Sequence, residues 1–411
     1  CEFLNQDISF KGSTISFNTI TASELNFGNA SISFESTNFR GNRFDLSGAT
    51  IGSGNISFKD ASFHNCFFRF EDVILGDGDI SFEGTKFDKG GVSFDRSSFG
   101  NGRVIFDGAQ FGRGDVSFVG TKFGQGDVSF MNIKFITNNV SFEKARFGEG
   151  NLSFDNTEFL GNTTSFEKIR IENHSPNKND PDTCLHNVSF SKVTFGKASI
   201  FFNDAYFGDS DVDFSDTNFG EGTISFYNAT FEQGEVVFAR SKFGKGGVEF
   251  DRVTFGSGIV DFGDVRFDAS LVSFTNAMFG IGDTYFWNAS FGDGKISFGH
   301  VNFDDGVTTF EGAVFGNGEV TFEAATFGNG RTRFIDVVFG SSKTVFTGTD
   351  FGFGGVEFQG AKFSGPTSFQ SACFRSCSVN FSDTMFTGSS ADFRGVTFGC
   401  NEISFTDADF S

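Results

Sequence analysis

Several residue types are scarce in this chain of 411 residues, which has 3 prolines, 3 methionines, 4 histidines and 1 tryptophan. No apolar run approaches the ~18 residues that a membrane-spanning helix needs. Histidine is so rare that no grouping of serine, histidine and a carboxylate stands out as a nucleophilic site. We therefore expect a non-enzymatic protein that uses no cofactor and no metal, and that has no transmembrane segment.

Phenylalanine and glycine are abundant instead, with 67 and 54 residues. The phenylalanines follow one another at steps that alternate between seven and five residues, so the pattern returns every twelve. Leucine and isoleucine replace phenylalanine at equivalent positions, as at Leu46 and Ile51, so the requirement is for a large apolar side chain. The sequence predicts a stacked core, and one clear stretch of it is Phe315, Phe322, Phe327, Phe334, Phe339, Phe346 and Phe351.

The residues around each phenylalanine alternate in character. Two positions earlier stands a small or branched residue, as at Ala109 and Val116, and positions such as Ser117 between them are polar. Since alternate residues of a strand share one face, this pattern predicts short, half-buried strands. A Gly-x-Gly motif, such as that at 124–126, precedes every second strand. No helix follows it, so we expect these glycines to supply the positive φ of tight corners and not to bind phosphate.

The phrases A-A-T-F at 324–327, G-A-Q-F at 108–111 and D-A-Y-F at 204–207 resemble those of the pentapeptide-repeat proteins. The resemblance implies an all-β fold, a right-handed, four-sided parallel β-helix (β-solenoid) with stacked inward residues. Here every second phrase is two residues longer, so a four-sided coil takes about 24 residues, within the range of solenoid repeats. A flattened two-sided coil of twelve residues is the alternative, and four inward phenylalanines suit the square interior better.

The repeat predicts one β-solenoid over residues 1–411, interrupted by an inserted corner loop at 172–187. The loop holds two of the three prolines and lacks the apolar alternation. Its spacing of metal-ligating residue types matches no standard site, so we interpret it as a solvated loop. Those residues are His174, Asp180, Asp182, Cys184 and His186.

Two kinds of covalent modification are open. Cys377 and Cys400 follow phenylalanines that are two twelve-residue repeats apart, so a disulfide between adjacent coils is one hypothesis and two unpaired corner residues is the other. Asn-x-Ser/Thr sequons predict N-glycosylation if the protein is secreted by a eukaryote. The candidate asparagines are Asn29, Asn55, Asn139, Asn151, Asn162, Asn228 and Asn288.

The formal net charge of −21, with acidic and basic residues interspersed, discourages binding to nucleic acid. The repeat runs from Phe3 to Phe410 without a polar cap, and uncapped solenoid ends invite strand pairing. We therefore expect a rod-like structural subunit of an extracellular or cell-surface filament that assembles end to end with itself, with other surface or matrix proteins as further candidate partners. One alternative follows from the resemblance, because some pentapeptide-repeat proteins mimic DNA and bind topoisomerases. Another is a surface spike that binds a partner through the 172–187 loop.

Overall fold

The computed structural model describes residues 6–172, 187–375, 378–388, 390–399 and 402–411. The chain divides into two compact units, Cys1–Asp211 and Val212–Ser411. Both consist of short parallel strands joined by turns, and the described residues contain no helix, hence none that could cross a membrane. The single solenoid over residues 1–411 stays a prediction.

Strand pairing fixes the length of the coil. Val92 pairs in parallel with Val116 in the first unit, and Val248 pairs with Val272 in the second, so partners lie two twelve-residue repeats apart in each case. One regular coil thus holds four strands, and the flattened two-sided alternative is excluded. The interruption at 172–187 adds twelve residues to one coil, because Leu152 pairs with Val188. The predicted all-β parallel β-solenoid is confirmed.

The strands lie on four faces, numbered 1 to 4 in the order in which the chain visits them within a coil. In the first unit face 1 comprises Ile8–Ser9, Ile32–Ser33, Ile56–Ser57, Ile80–Ser81, Val104–Ile105, Val128–Ser129, Leu152–Ser153 and Asn187–Ser189. Face 2 comprises Thr14–Ser16, Asn38–Arg40, Ser62–His64, Lys86–Lys89, Gln110–Arg113, Lys134–Phe135, Glu158–Phe159 and Thr194–Phe195. Face 3 comprises Thr19–Thr21, Arg43–Asp45, Phe67–Arg69, Val92–Ser93, Val116–Ser117, Asn139–Ser141, Thr163–Ser165 and Ser199–Phe201. Face 4 comprises Thr50–Ile51, Ile74–Leu75, Arg146–Phe147 and Arg170–Ile171, with single bridges between them.

The second unit repeats these faces. Face 1 comprises Asp211–Asp213, Val236–Val237, Val260–Asp261, Thr284–Tyr285, Thr308–Thr309, Thr332–Arg333, Val356–Glu357, Ser378–Asn380 and Glu402–Ser404. Face 2 comprises Lys242–Phe243, Arg266–Phe267, Ser290–Phe291, Val314–Phe315, Val338–Phe339, Lys362–Phe363 and Met385–Phe386. Face 3 comprises Ile224–Ser225, Val248–Glu249, Leu271–Ser273, Lys295–Ser297, Val320–Thr321, Thr344–Val345, Thr367–Ser368 and Ala391–Asp392. Face 4 comprises Thr254–Phe255, Met278–Phe279, Cys373–Phe374 and Thr397–Phe398.

Phenylalanine rings fill the interior in continuous columns. The ring of Phe82 stacks on that of Phe106 with centroids 4.7 Å apart, and Phe94 stacks on Phe118 at 4.8 Å. These two columns meet edge to face, since the rings of Phe82 and Phe94 are 5.3 Å apart at an interplanar angle of 84°. Aromatic pairs of both kinds contribute about 0.5–1.5 kcal/mol each beyond the burial of their area. The core therefore holds the coils in register as well as together.

Most glycines of the Gly-x-Gly corners do not have the role that the sequence suggested, although Gly114, Gly220 and Gly352 do have a positive φ. Gly124 and Gly126 are outside the positive-φ region, and a Cβ on Gly126 would overlap the carbonyl oxygen of Gly102, one coil earlier. Positive φ occurs instead two residues after the seven-step phenylalanines, at residues such as Asn132 (φ 57°) and Lys144 (φ 59°). At most of these corners the expectation was wrong, because close stacking of coil on coil, not backbone handedness, excludes a side chain.

Candidate interaction face

Face 1 presents different outward side chains in the two units. In the first unit almost every strand turns a serine outward, and Ser129 and Ser189 hydrogen-bond to Asp107 and Asp155 of neighbouring coils. These serines are Ser9, Ser33, Ser57, Ser81, Ser129, Ser153 and Ser189, and Ile105 is the exception. In the second unit the corresponding column has no serine before Ser404, and it reads Asp213, Val237, Asp261, Tyr285, Thr309, Arg333, Glu357 and Asn380. Its apolar and aromatic members are Val237 and Tyr285, and Asp261 lies between them.

Two further exposed side chains extend this departure. Ile259 lies two residues before Asp261 and is 38% exposed, and Trp287 lies two residues after Tyr285 and is 37% exposed. Alternate residues of a strand point to the same side, so these side chains share one surface. We call Ile259, Asp261, Asp283, Tyr285 and Trp287 the aromatic patch.

Trp287 lies against the backbone of the preceding coil. A Cβ on Gly263, which occupies the equivalent position one coil earlier, would overlap Cε2 of the Trp287 indole. Gly263 thus provides the space that the ring occupies, and its own backbone is buried there. The indole is held on one side by the protein and open to solvent on the other.

Tyr285 is fixed by the carboxylate beside it. Its hydroxyl donates a hydrogen bond of 2.8 Å to Oδ2 of Asp283, while Oδ1 of Asp283 accepts one of 2.9 Å from the backbone N–H of Val307. Burial, followed by the hydrogen bond to Asp283, raises the pKa of Tyr285 to about 12. The phenol is therefore neutral at physiological pH, and both Asp283 oxygens have defined positions.

Asp261 carries an unfavourable charge. Its Oδ1 accepts a hydrogen bond of 2.7 Å from the backbone N–H of Gly263, yet burial raises the pKa of the carboxyl above its ordinary value. Arg240 is the basic residue whose charge acts on Asp261, but its Nε lies 2.9 Å from Oδ1 of Asp216. Asp261, Asp283 and Glu235 all act on Tyr285 as negative charges. The aromatic patch thus lies in a net negative field.

Charged residues at two other places on the surface are already paired with one another. An open groove of about 780 Å³ in the second unit includes Lys245, Arg266 and Asp268, and Nε of Arg266 lies 3.0 Å from Oδ1 of Asp268, so this pair satisfies its own charges. His64 similarly pairs with Asp88, with Nδ1 and Oδ2 2.5 Å apart. Within the described ranges no three His, Cys, Asp or Glu side chains are grouped so that they could hold a metal ion.

The inward residues identify the kind of repeat. Each five-residue phrase sends two side chains into the core, as Ala109 and Phe111 do at 0% and 1% exposure and Ala325 and Phe327 do at the same values. Four such faces make one coil. This coil resembles the four-sided coil that the resemblance to pentapeptide-repeat proteins implied. It is lengthened here, because two of its four corners contain the additional glycine-rich residues.

Comparison with known proteins adds little to this assignment. The chain is similar to HetL, a pentapeptide repeat protein involved in heterocyst differentiation regulation from the cyanobacterium Nostoc, at 10% identity over 63% of this chain and 90% of that one. The TM-score is 0.21, so the description of the fold rests on the coil and the core described above. No family model matches the chain, and no curated protein does.

The structure places the residues singled out in the sequence as follows. The seven phenylalanines from Phe315 to Phe351 are at most 1% exposed, and the seven sequon asparagines are all exposed. Cys377, Cys400 and the residue cluster within the 172–187 loop lie outside the described residues. Cys66 and Cys373 carry free thiols, the first buried and the second half-buried. The disulfide and the glycosylation stay predictions.

Sequence reasoning missed the aromatic patch. One signal for it was present, because the only tryptophan of the chain stands two twelve-residue repeats after a glycine that replaces the usual outward residue. With the coil length undecided, however, nothing linked Gly263 to Trp287 or Asp261 to Tyr285.

Proposed function

We propose that this pentapeptide-repeat solenoid is a non-enzymatic protein that binds a protein partner on face 1 of the Val212–Ser411 unit. The observation that carries the proposal is the group of apolar and aromatic residues on this face, Val237 and Tyr285 beside the exposed Ile259 and Trp287, with Asp261 between them. None of these outward side chains is needed for the core, because the inward phenylalanines are the same on both sides of the patch.

The composition of the patch suits a protein interface. Tryptophan and tyrosine are enriched among the residues that dominate binding energy, and their truncation at such sites costs about 2 kcal/mol or more. A flat sheet face with separate exposed aromatics also fits a macromolecular partner better than a small molecule, which needs a concave pocket.

Site-specific cross-linking tests this proposal. A photoreactive amino acid at Trp287, and the same amino acid at Thr347 on face 3 as a control, would be activated in cells of the source organism. We expect a protein that cross-links at position 287 and not at 347. Purified, that protein should bind this chain directly and lose about 30-fold in affinity with Trp287→Ala, and nothing with Thr347→Ala. Equal cross-linking at both positions, or unchanged binding by Trp287→Ala, would contradict the proposal.

End-to-end self-assembly is a second candidate. It is supported by the coil-to-coil pairing, because every coil offers its neighbour the same parallel strand edges in the same register, as Val92 does to Val116 and Val248 to Val272. Sedimentation velocity over a hundredfold range of concentration tests it. Assembly predicts a sedimentation coefficient that rises with concentration, and a single concentration-independent species would contradict it.

Two further expectations carry over from the sequence as proposals with their own tests. An extracellular or cell-surface location would be seen as labelling of intact cells by an impermeant reagent. Topoisomerase binding would be seen as inhibition of gyrase at micromolar protein. Ion pairs between successive coils, such as Lys59–Glu83 at 2.8 Å and Arg103–Asp79 at 2.7 Å, neutralise part of the acidic surface and make a DNA-like field the less favoured interpretation.

A further inference from the structure

We propose that the aromatic patch binds an arginine side chain within an extended segment of the partner, with the guanidinium on Trp287 and its N–H groups on Asp261. The inference rests on the proposed function, and it adds the chemical class of the group that the face recognises.

The geometry of the patch provides complementary contacts on two sides. Asp261 pairs directly with Tyr285 across one strand spacing of about 4.8 Å. The indole of Trp287 lies against Gly263, whose N–H donates to Asp261, so this ring and this carboxylate adjoin the same residue. Asp283 precedes Tyr285 by two residues and adds negative charge beside them. A guanidinium is planar, stacks on aromatic faces and donates in a fork that matches carboxylates, so one arginine meets both requirements.

The charge distribution favours a cation over a neutral group. The charges that act on Tyr285 are those of Asp283, Asp261 and Glu235, and all three are acidic. The arginine nearest in effect, Arg240, is held by Asp216 through a bidentate pair of 2.9 Å and 3.0 Å. Because Arg240 pairs with Asp216, a positively charged group of the partner does not have to displace Arg240 from Asp261.

The burial of Asp261 also favours a positively charged ligand. A partly desolvated carboxylate without a direct cationic partner destabilises the fold, and natural proteins retain such residues at functional sites. A bound guanidinium would neutralise the charge and recover that cost. The hydrogen bond from Gly263 at 2.7 Å would keep the carboxylate oriented while the other oxygen accepts from the ligand.

Trp287 supplies the assay, because it is the only tryptophan in the chain and its fluorescence reports on the patch alone. The full chain would be titrated with an eight-residue Gly/Ser peptide carrying two arginines, with the same peptide carrying citrulline, and with one carrying lysine. Citrulline keeps the planar shape and removes the charge. We expect a saturable change in emission with the arginine peptide, about 10-fold weaker binding of the citrulline peptide and intermediate binding of the lysine peptide. Binding should also weaken as salt rises.

Variants separate this inference from an unspecific charge effect. Asp261→Asn should weaken binding of the arginine peptide about 10-fold or more. Glu323→Gln, which removes an exposed charge from face 3 of the same unit, should leave it unchanged. Circular dichroism would verify that each variant folds. Equal loss with Glu323→Gln would overturn the inference, because it would show attraction to net charge.

The outcomes also distinguish this inference from the proposed function. Equal binding of the arginine and citrulline peptides would overturn arginine recognition while cross-linking at position 287 still tested the partner face. No response to any of the three peptides would likewise overturn it. Loss of both cross-linking and peptide binding would remove the face as an interface altogether.

Discussion

Two adjacent glycines in the second unit should respond oppositely to the same substitution. A Cβ on Gly246 would overlap the carbonyl oxygen of Gly222 on the coil below, whereas a Cβ on Gly247 meets no atom within 4 Å. Neither glycine has a positive φ, so backbone handedness does not enter the comparison. Gly246→Ala and Gly247→Ala therefore form a matched pair, in which only the space beside the new methyl group differs.

The size of the effect follows from the hydrogen bonds that would have to give way. Relieving the overlap at Gly246 requires the two coils to separate locally. The backbone bonds from Gly244 to Gly220 at 2.8 Å and from Ile224 to Gly247 at 2.9 Å lie in that segment. Each contributes about 1 kcal/mol, and each leaves a desolvated group if broken, so we expect a loss of about 2–4 kcal/mol. Gly247→Ala should stabilise by about 0.4–1 kcal/mol, since it only restricts the unfolded chain.

Urea denaturation followed by circular dichroism and by Trp287 fluorescence measures both variants. Because repeat arrays do not always unfold in two states, the comparison is made on midpoints and on hydrogen exchange of residues 220–248. We expect a lower midpoint and faster exchange for Gly246→Ala, and an unchanged or higher midpoint for Gly247→Ala. Equal destabilisation by the two substitutions would refute the argument that coil stacking determines the glycine corners.

Three further outcomes are expected. Phe322→Ala should cost about 3–5 kcal/mol, because this ring is fully buried between the stacked rings of Phe298 and Phe346 at 4.8 and 4.9 Å; Phe322→Leu should cost much less in the same denaturation assay, and equal costs would contradict the packing argument. Asp261→Asn should raise stability at pH 7: burial places the folded-state pKa above the ordinary value of 3.8, so the stabilising contribution of Asp261 is full below pH 3.8 and is lost as pH rises through the folded-state pKa. The gap between variant and wild type should therefore close in acid, and a gap that is independent of pH would count against this cause. Cys66 should resist iodoacetamide at pH 8 in the native state and react once urea is added, as followed by peptide mass spectrometry, because burial raises the pKa of its thiol to about 11; rapid native labelling would show that the site is open.

The buried residues of this protein could be predicted from its sequence. Large apolar residues recur at steps of seven and five residues, and a short strand buries such residues on its inner face. The burial of residues such as Phe322 and Phe327 therefore follows from periodicity alone. The four-sided coil was favoured over the flat one by the bulk of its phenylalanines. The reason for the corner glycines was not accessible, because periodicity says nothing about how closely one coil approaches the next.

The outward surface was decided by the tertiary structure. Asp261 and Tyr285, or Gly263 and Trp287, are far apart in the chain, and they become neighbours only because one coil closes after two twelve-residue repeats. The sequence by itself determined which side chains are buried, since the hydrophobic effect acts on each side chain separately. Which exposed residues meet depends on the length of the coil, and that is a property of the folded chain as a whole.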